Sequence, residues 1–147
     1  MLRFFAAFAM LAMLAVPASA QKNDKVHRLV IQVSENDAAK MNLALNNVVN
    51  VSQYYTGKGE EVEIEVVAYG PGLHMLRADT SPVKQRIMSV SQSMPSVSFS
   101  ACGNTMEGMK KAENVEKIEL LPKIEVVSAG VTRIIELQEK GWSYVKP

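Results

Sequence analysis

The residue best suited to chemistry in this chain is Cys102, the one cysteine among 147 residues. It stands in VSFSACGNTM, where an apolar, strand-forming run over 97–101 gives way to a short helix expected over 104–111. A thiol at a helix N-terminus faces the positive end of the helix dipole and unpaired N–H groups. Both favour thiolate over thiol. Gly103 removes bulk beside the sulfur and lets the backbone approach a bound atom. Asn104 and Thr105 supply hydrogen-bonding groups that could cap the helix. The competing reading is a buried small hydrophobe, as structural cysteines usually are. With no second cysteine, a dithiol cycle is excluded. A single thiolate can act as a nucleophile or accept a cap such as a persulfide, and carrying a sulfur atom meets that constraint.

His74 closes the stretch Gly70-Pro71-Gly72-Leu73-His74, just after the preceding strand. If that strand neighbours the one ending at Cys102, the imidazole could approach the thiol and help hold its anion. The alternative is a structural histidine on a tight loop. Glu35, Arg77 and Asp79 are single charges that the same sheet edge could gather, whereas His27 opens a strand at the opposite edge and is left out of the site. At 48% hydrophobic and 21% charged, the chain is globular rather than disordered. A formal charge of +1, with no long basic run, gives no footprint for nucleic acid. One cysteine and two histidines exclude a Cys-rich zinc cluster and leave little for a His-built metal site, so no cofactor is implied. G-x-G-x-x-G, the P-loop and G-x-S-x-G are all missing, which argues against nucleotide binding and serine hydrolysis.

The elements that must position these residues begin after an address. Arg3, the apolar run over 4–16 and the small-residue ending Pro17-Ala18-Ser19-Ala20 have the layout of a secretory signal peptide. The apolar run is shorter than the roughly 20 residues a membrane helix needs. Cleavage after Ala20 would leave one domain over 21–147, charge-balanced, periplasmic and without membrane attachment.

Along 21–147, strands are expected over 27–33, 61–69, 97–101, 124–127 and 142–145. Helices are expected over 37–55, 81–93, 104–111 and 130–140, with a short helical turn over 73–77. Ser34-Glu35-Asn36-Asp37 offers capping oxygens, Gly57-Lys58-Gly59 a left-handed end, and Ser81-Pro82 a cap and first helical position. On the first helix Ala38, Met41, Leu45, Val48, Val49 and Ser52 share the core face. Beside them Asn42, Asn46, Asn50 and Gln53 form an amide stripe, either solvated, a subunit contact or a polar pocket wall. Five strands interleaved with helices imply a mostly parallel sheet covered on both faces, a three-layer α/β sandwich of flavodoxin-like type. In such sheets ligands gather beyond the carboxyl ends of the strands. Here those ends carry Ser34-Glu35-Asn36, Gly70 to His74, Cys102 to Thr105 and Ser128-Ala129-Gly130.

Taken in order, VHRLVIQVSEN, AAKMNLALNNVVN, EVEIEVVAYGPGLHMLRADTSPV, VSFSACGNTM and VVSAGVTRIIELQEKGWSYVKP resemble the DsrE/DsrF-like family, also called YchN-like after its fold. The resemblance spans about 25–147. It implies an α/β sandwich that assembles into homo-oligomers, trimers or hexamers. For members with a cysteine at this turn it implies transfer of sulfane sulfur as a persulfide, a role that falls here on Cys102. The loop with Gly70, Gly72 and His74 is implied as part of the pocket. Sulfur-relay members act in the cytoplasm, so an exported member leaves its sulfur donor and acceptor proteins unnamed. The alternative is a non-catalytic, oligomeric small-ligand-binding or assembly module of the same fold.

Overall fold

A computed structural model describes residues 25–147; the signal peptide expected over 1–20 lies outside the described residues. The β-branched runs form β1 (Val26–Val33), β2 (Glu61–Ala68), β3 (Val97–Cys102), β4 (Glu125–Val127) and β5 (Ser143–Val145). Between them lie α1 (Ala38–Thr56), a 3₁₀ segment (Gly70–Leu76), α2 (Lys84–Ser93), α3 (Gly103–Glu113) and α4 (Gly130–Glu139). Every strand pairs its neighbours in parallel, in the order β4-β3-β2-β1-β5. The result is the expected α/β sandwich around a five-stranded sheet.

The two faces of that sheet are covered unequally. On one, α1, the 3₁₀ segment and α2 bury Met41, Leu45, Leu73, Met75 and Ile87 against Ile31, Ile64, Val66 and Phe99. Met106 and Met109 of α3 pack onto the same cluster. The other face has α4, whose Ile134 and Leu137 meet Val30 and Val67, with Tyr69 and Trp142 alongside. The chain therefore leaves β3 toward one face and leaves the adjacent β4 toward the other. Neighbouring strands whose connections part in this way open a crevice at their carboxyl ends.

Several local expectations give way to competing interactions. Asp37 caps α1 by accepting the N–H groups of Ala39 and Lys40 at 2.7 and 3.1 Å. In the turn it starts, Ala38 is exposed, and Ala44 joins Met41, Leu45 and Val48 in the core. Gly57 stays right-handed (φ −64°), and the left-handed residue of that turn is Gly59 (φ 72°). Helix α2 begins at Lys84 after Val83, because Ser81 is engaged elsewhere: its hydroxyl donates to the Met75 carbonyl and accepts the Val83 N–H. Half of the amide stripe holds a partner. Arg86 of α2 donates to Oδ1 of Asn42 at 2.6 Å and of Asn46 at 2.8 Å, while Asn50 and Gln53 are exposed.

Arg77 is buried, and its guanidinium donates to both carboxylate oxygens of Asp79 and of Glu113, fastening the end of the 3₁₀ segment to the end of α3. Arg77 and Asp79 are thus joined in a structural network. The guanidinium holds the Asp79 carboxyl at about 2, against an ordinary 3.8, and lowers that of Glu113. Carboxyls depressed on folding contribute stability above their unfolded pKa, and lose it as pH falls through the folded one. Stability should therefore decline from about pH 4 down to about pH 2. Arg77→Met should flatten that decline and lower the melting temperature at neutral pH by about 5 °C. Acid titration followed by circular dichroism checks the first, and a thermal melt the second.

Candidate functional site

Cys102 is both the last residue of β3 and the N-cap of α3, one position deeper in the strand than the sequence suggests. It stands at the crevice where β3 and β4 send their chains to opposite faces. Cys102 makes no side-chain cap hydrogen bond, yet as the cap it sits beside the first N–H groups of α3. Gly130, the first residue of α4, packs against it, so that a Cβ there would lie 3.3 Å from Cβ of Cys102 and two helix N-termini meet at this residue. The Thr105 hydroxyl accepts the Gly70 N–H at 2.9 Å, and together with the N–H groups of Asn104, Thr105 and Gly130 it favours the thiolate. Burial, which leaves Cys102 5% exposed, pushes the thiol pKa up. The Thr105 hydroxyl and the three N–H groups outweigh it, and the net shift is downward, toward thiolate.

The glycines allow this convergence. A Cβ on Gly130 would lie 3.0 Å from Cβ of Tyr69 and 3.3 Å from Cβ of Cys102, so α4 meets the strand ends only without one. A Cβ on Gly103 would sit 3.1 Å from the Val127 carbonyl oxygen; the space its missing side chain leaves is taken by β4. Gly70 has φ +52°, which lets the chain fold back so that its N–H reaches Thr105. Gly72 presses on the end of β1, where a Cβ would fall 2.3 Å from the Val33 carbonyl oxygen.

The remaining candidates fall around this centre. The Asn104 side chain is exposed, and its N–H also meets the Ser128 carbonyl at 3.1 Å. His74 places Nδ1 2.8 Å from the Thr80 hydroxyl and is not among the groups acting most strongly on the thiol. Glu35 pairs with Lys146 at 3.0 Å and Lys40 at 3.3 Å. His27 stacks on Tyr55 with centroids 3.6 Å apart and bonds Glu60, at the other end of the sheet. A hollow of about 590 Å³ also lies at that other end, between Glu61, Glu63, Ser98 and Trp142.

A model of the DsrE/DsrF-like family matches residues 27–147, nearly the whole described chain. The chain belongs to that family. A solved structure similar to this DsrE/DsrF-like chain is a protein of unknown function, MTH1491, from Methanobacterium thermoautotrophicum. The two are 34% identical with a TM-score of 0.68, over 82% of this chain and 99% of that one. No curated protein matches the chain.

Sequence reading missed the Gly130 N–H and Tyr69 as parts of the site, although Ser128-Ala129-Gly130 stood among the expected strand ends. Thr105 it named, without its two-sided role. Thr105→Val keeps the shape but removes the hydroxyl that favours the thiolate and leaves the Gly70 N–H unpaired. The thiolate fraction at neutral pH should therefore fall. Titrating the thiolate absorbance of the variant checks this; a wild-type profile would refute it.

Proposed function

We propose that this chain carries sulfane sulfur as a persulfide on Cys102. Family membership supports a sulfur-relay role in general terms. The finer reading rests on one observation: a lone thiol at the N-cap of α3 with the first residue of α4 packed against it. In the loading step the Cys102 thiolate attacks the sulfane sulfur of a polysulfide or of a partner's persulfide. One S–S bond forms as the donor's S–S bond breaks, and the donor leaves as its thiolate or a shorter polysulfide anion. In unloading, an acceptor thiolate attacks the outer sulfur and Cys102 departs as thiolate. A lowered pKa makes it the better leaving group. No external oxidant is consumed in either direction.

We propose further that the mature chain is periplasmic, from the signal-peptide layout of 1–20, and a homo-oligomer, as the family resemblance implies. Val131 and Ile135, one turn apart on α4 and about half exposed, offer apolar surface for assembly. A second reading, an assembly or ligand-binding module without catalysis, is favoured by the burial of Cys102. Intact mass after incubation with polysulfide, with and without reductant, separates the two. A reversible gain of one sulfur at Cys102 is expected. No gain, with a thiol that resists alkylation until the protein unfolds, would leave the module.

A further inference from the structure

Helix α4 brings its first residue, Gly130, against Cys102, where a Cβ on it would lie 3.3 Å from Cβ of the cysteine, yet its first turn has little apolar hold on the sheet. Gly130 has no side chain, and Val131 and Thr132 are exposed. Its apolar anchors, Ile134 and Leu137, lie in the next turn. Arg133 is therefore the side chain through which the first turn grips the sheet. Its Nε donates to Oε1 of Glu65 at 2.9 Å and its second guanidinium nitrogen to Oε2 at 2.8 Å. Glu65 is 3% exposed, in the middle of β2. Its Oε1 also accepts the Ser100 hydroxyl at 2.7 Å, from the residue two before Cys102 on β3. A bidentate pair with a third bond from a neighbouring strand fixes direction as well as distance.

We propose that Glu65 and Arg133 are positioning residues that hold the α4 N-terminus over Cys102. This rests on the carrier reading only for its use; the positioning itself concerns the thiol alone. The pair acts through Gly130: with the clamp in place, the N-terminus of α4 stays packed against Cys102. Without it, the first turn can lift and the thiolate loses that helix N-terminus. Tyr69, beside Gly130, is the other titratable group at this contact, and it is common to all variants compared.

The test is the ultraviolet titration of the Cys102 thiolate in the full folded chain, with Cys102→Ser as the blank. Arg133→Met and Glu65→Met remove opposite charges but release the same turn. Positioning predicts that both move the titration to higher pH, by about one unit, a tenfold loss of thiolate below the midpoint. A through-space charge effect predicts opposite shifts, upward on loss of the cation and downward on loss of the anion. Opposite shifts, or a wild-type profile in both, overturn the proposal. Where either variant fails to fold, Arg133→Lys and Glu65→Gln are titrated instead: an upward shift in both supports the clamp, and no shift in either overturns it. Polysulfide loading of the wild type is scored separately, so an upward shift without loading keeps the clamp and removes the carrier.

Discussion

Cys102→Ser is expected to abolish sulfur uptake completely while leaving the protein folded. A serine hydroxyl does not ionise near neutral pH and cannot hold a sulfane sulfur, so no partial activity should survive. The fold should tolerate the change. The oxygen is smaller than the sulfur, and position 102 is the N-cap of α3, where serine is a favoured residue. The cost should stay at about 1 kcal/mol, the usual size of a single hydrogen-bond change. Intact mass after polysulfide treatment, together with a thermal melt, measures both halves. Retained loading in a folded variant would remove Cys102 from the mechanism.

The largest effect on stability is expected at Gly72. An added Cβ there would stand 2.3 Å from the Val33 carbonyl oxygen and 2.6 Å from its carbon. Both contacts are backbone at the end of β1, an interior strand of the sheet, and no flexible side chain can yield. Either β1 or the 3₁₀ segment must move, with Leu73, Met75 and Leu76 attached to it in the core. Overpacking of this kind usually costs 1–3 kcal/mol, and a backbone clash belongs at or above the upper end. A fall in melting temperature of about 10 °C follows for a domain of this size. Gly108→Ala is the control. That position lies exposed inside α3 with open space around it, and alanine there should be neutral or stabilising by about 0.5–1 kcal/mol. Equal melts for Gly72→Ala and the wild type would refute the argument.

Much of this architecture was legible because strand and helix periods differ. β1, β2 and β3 stood out as β-branched runs bounded by turn residues, and Cys102 was placed at the junction of β3 and α3. Shifts of one or two residues arose where a side chain found a better partner than its own helix. Ser81 bonds the Met75 carbonyl, and α2 starts later. Harder to see was what crosses the fold. Glu65 lies in a strand that alternates and then turns continuously apolar, and it is buried because α4, 65 and more residues further on, covers that face. A carboxylate inside a run that turns continuously apolar was the available signal, since such a group needs a partner. Nothing local identified Arg133 as that partner. The amide stripe of α1 likewise acquired its meaning only when α2 brought Arg86 beside Asn42 and Asn46.

The uneven covering of the sheet has a kinetic consequence. One face is secured by a large apolar cluster, the other by one helix with two buried anchors and an ion pair. Free energies of local opening range from near zero to the full value for global unfolding, and sparsely anchored elements open most cheaply. The amides of α4 should therefore exchange with solvent well before those of β1 or β2. Because Cys102 is nearly buried and lies against the start of that helix, such excursions are expected to uncover the sulfur to reagents. Its observed rate is then the intrinsic reactivity multiplied by the fraction of time the helix stands away. A small oxidant and a bulky donor protein would need openings of different size. In this fold the thiol's selectivity is set by the breathing of a neighbouring helix as much as by its own acidity.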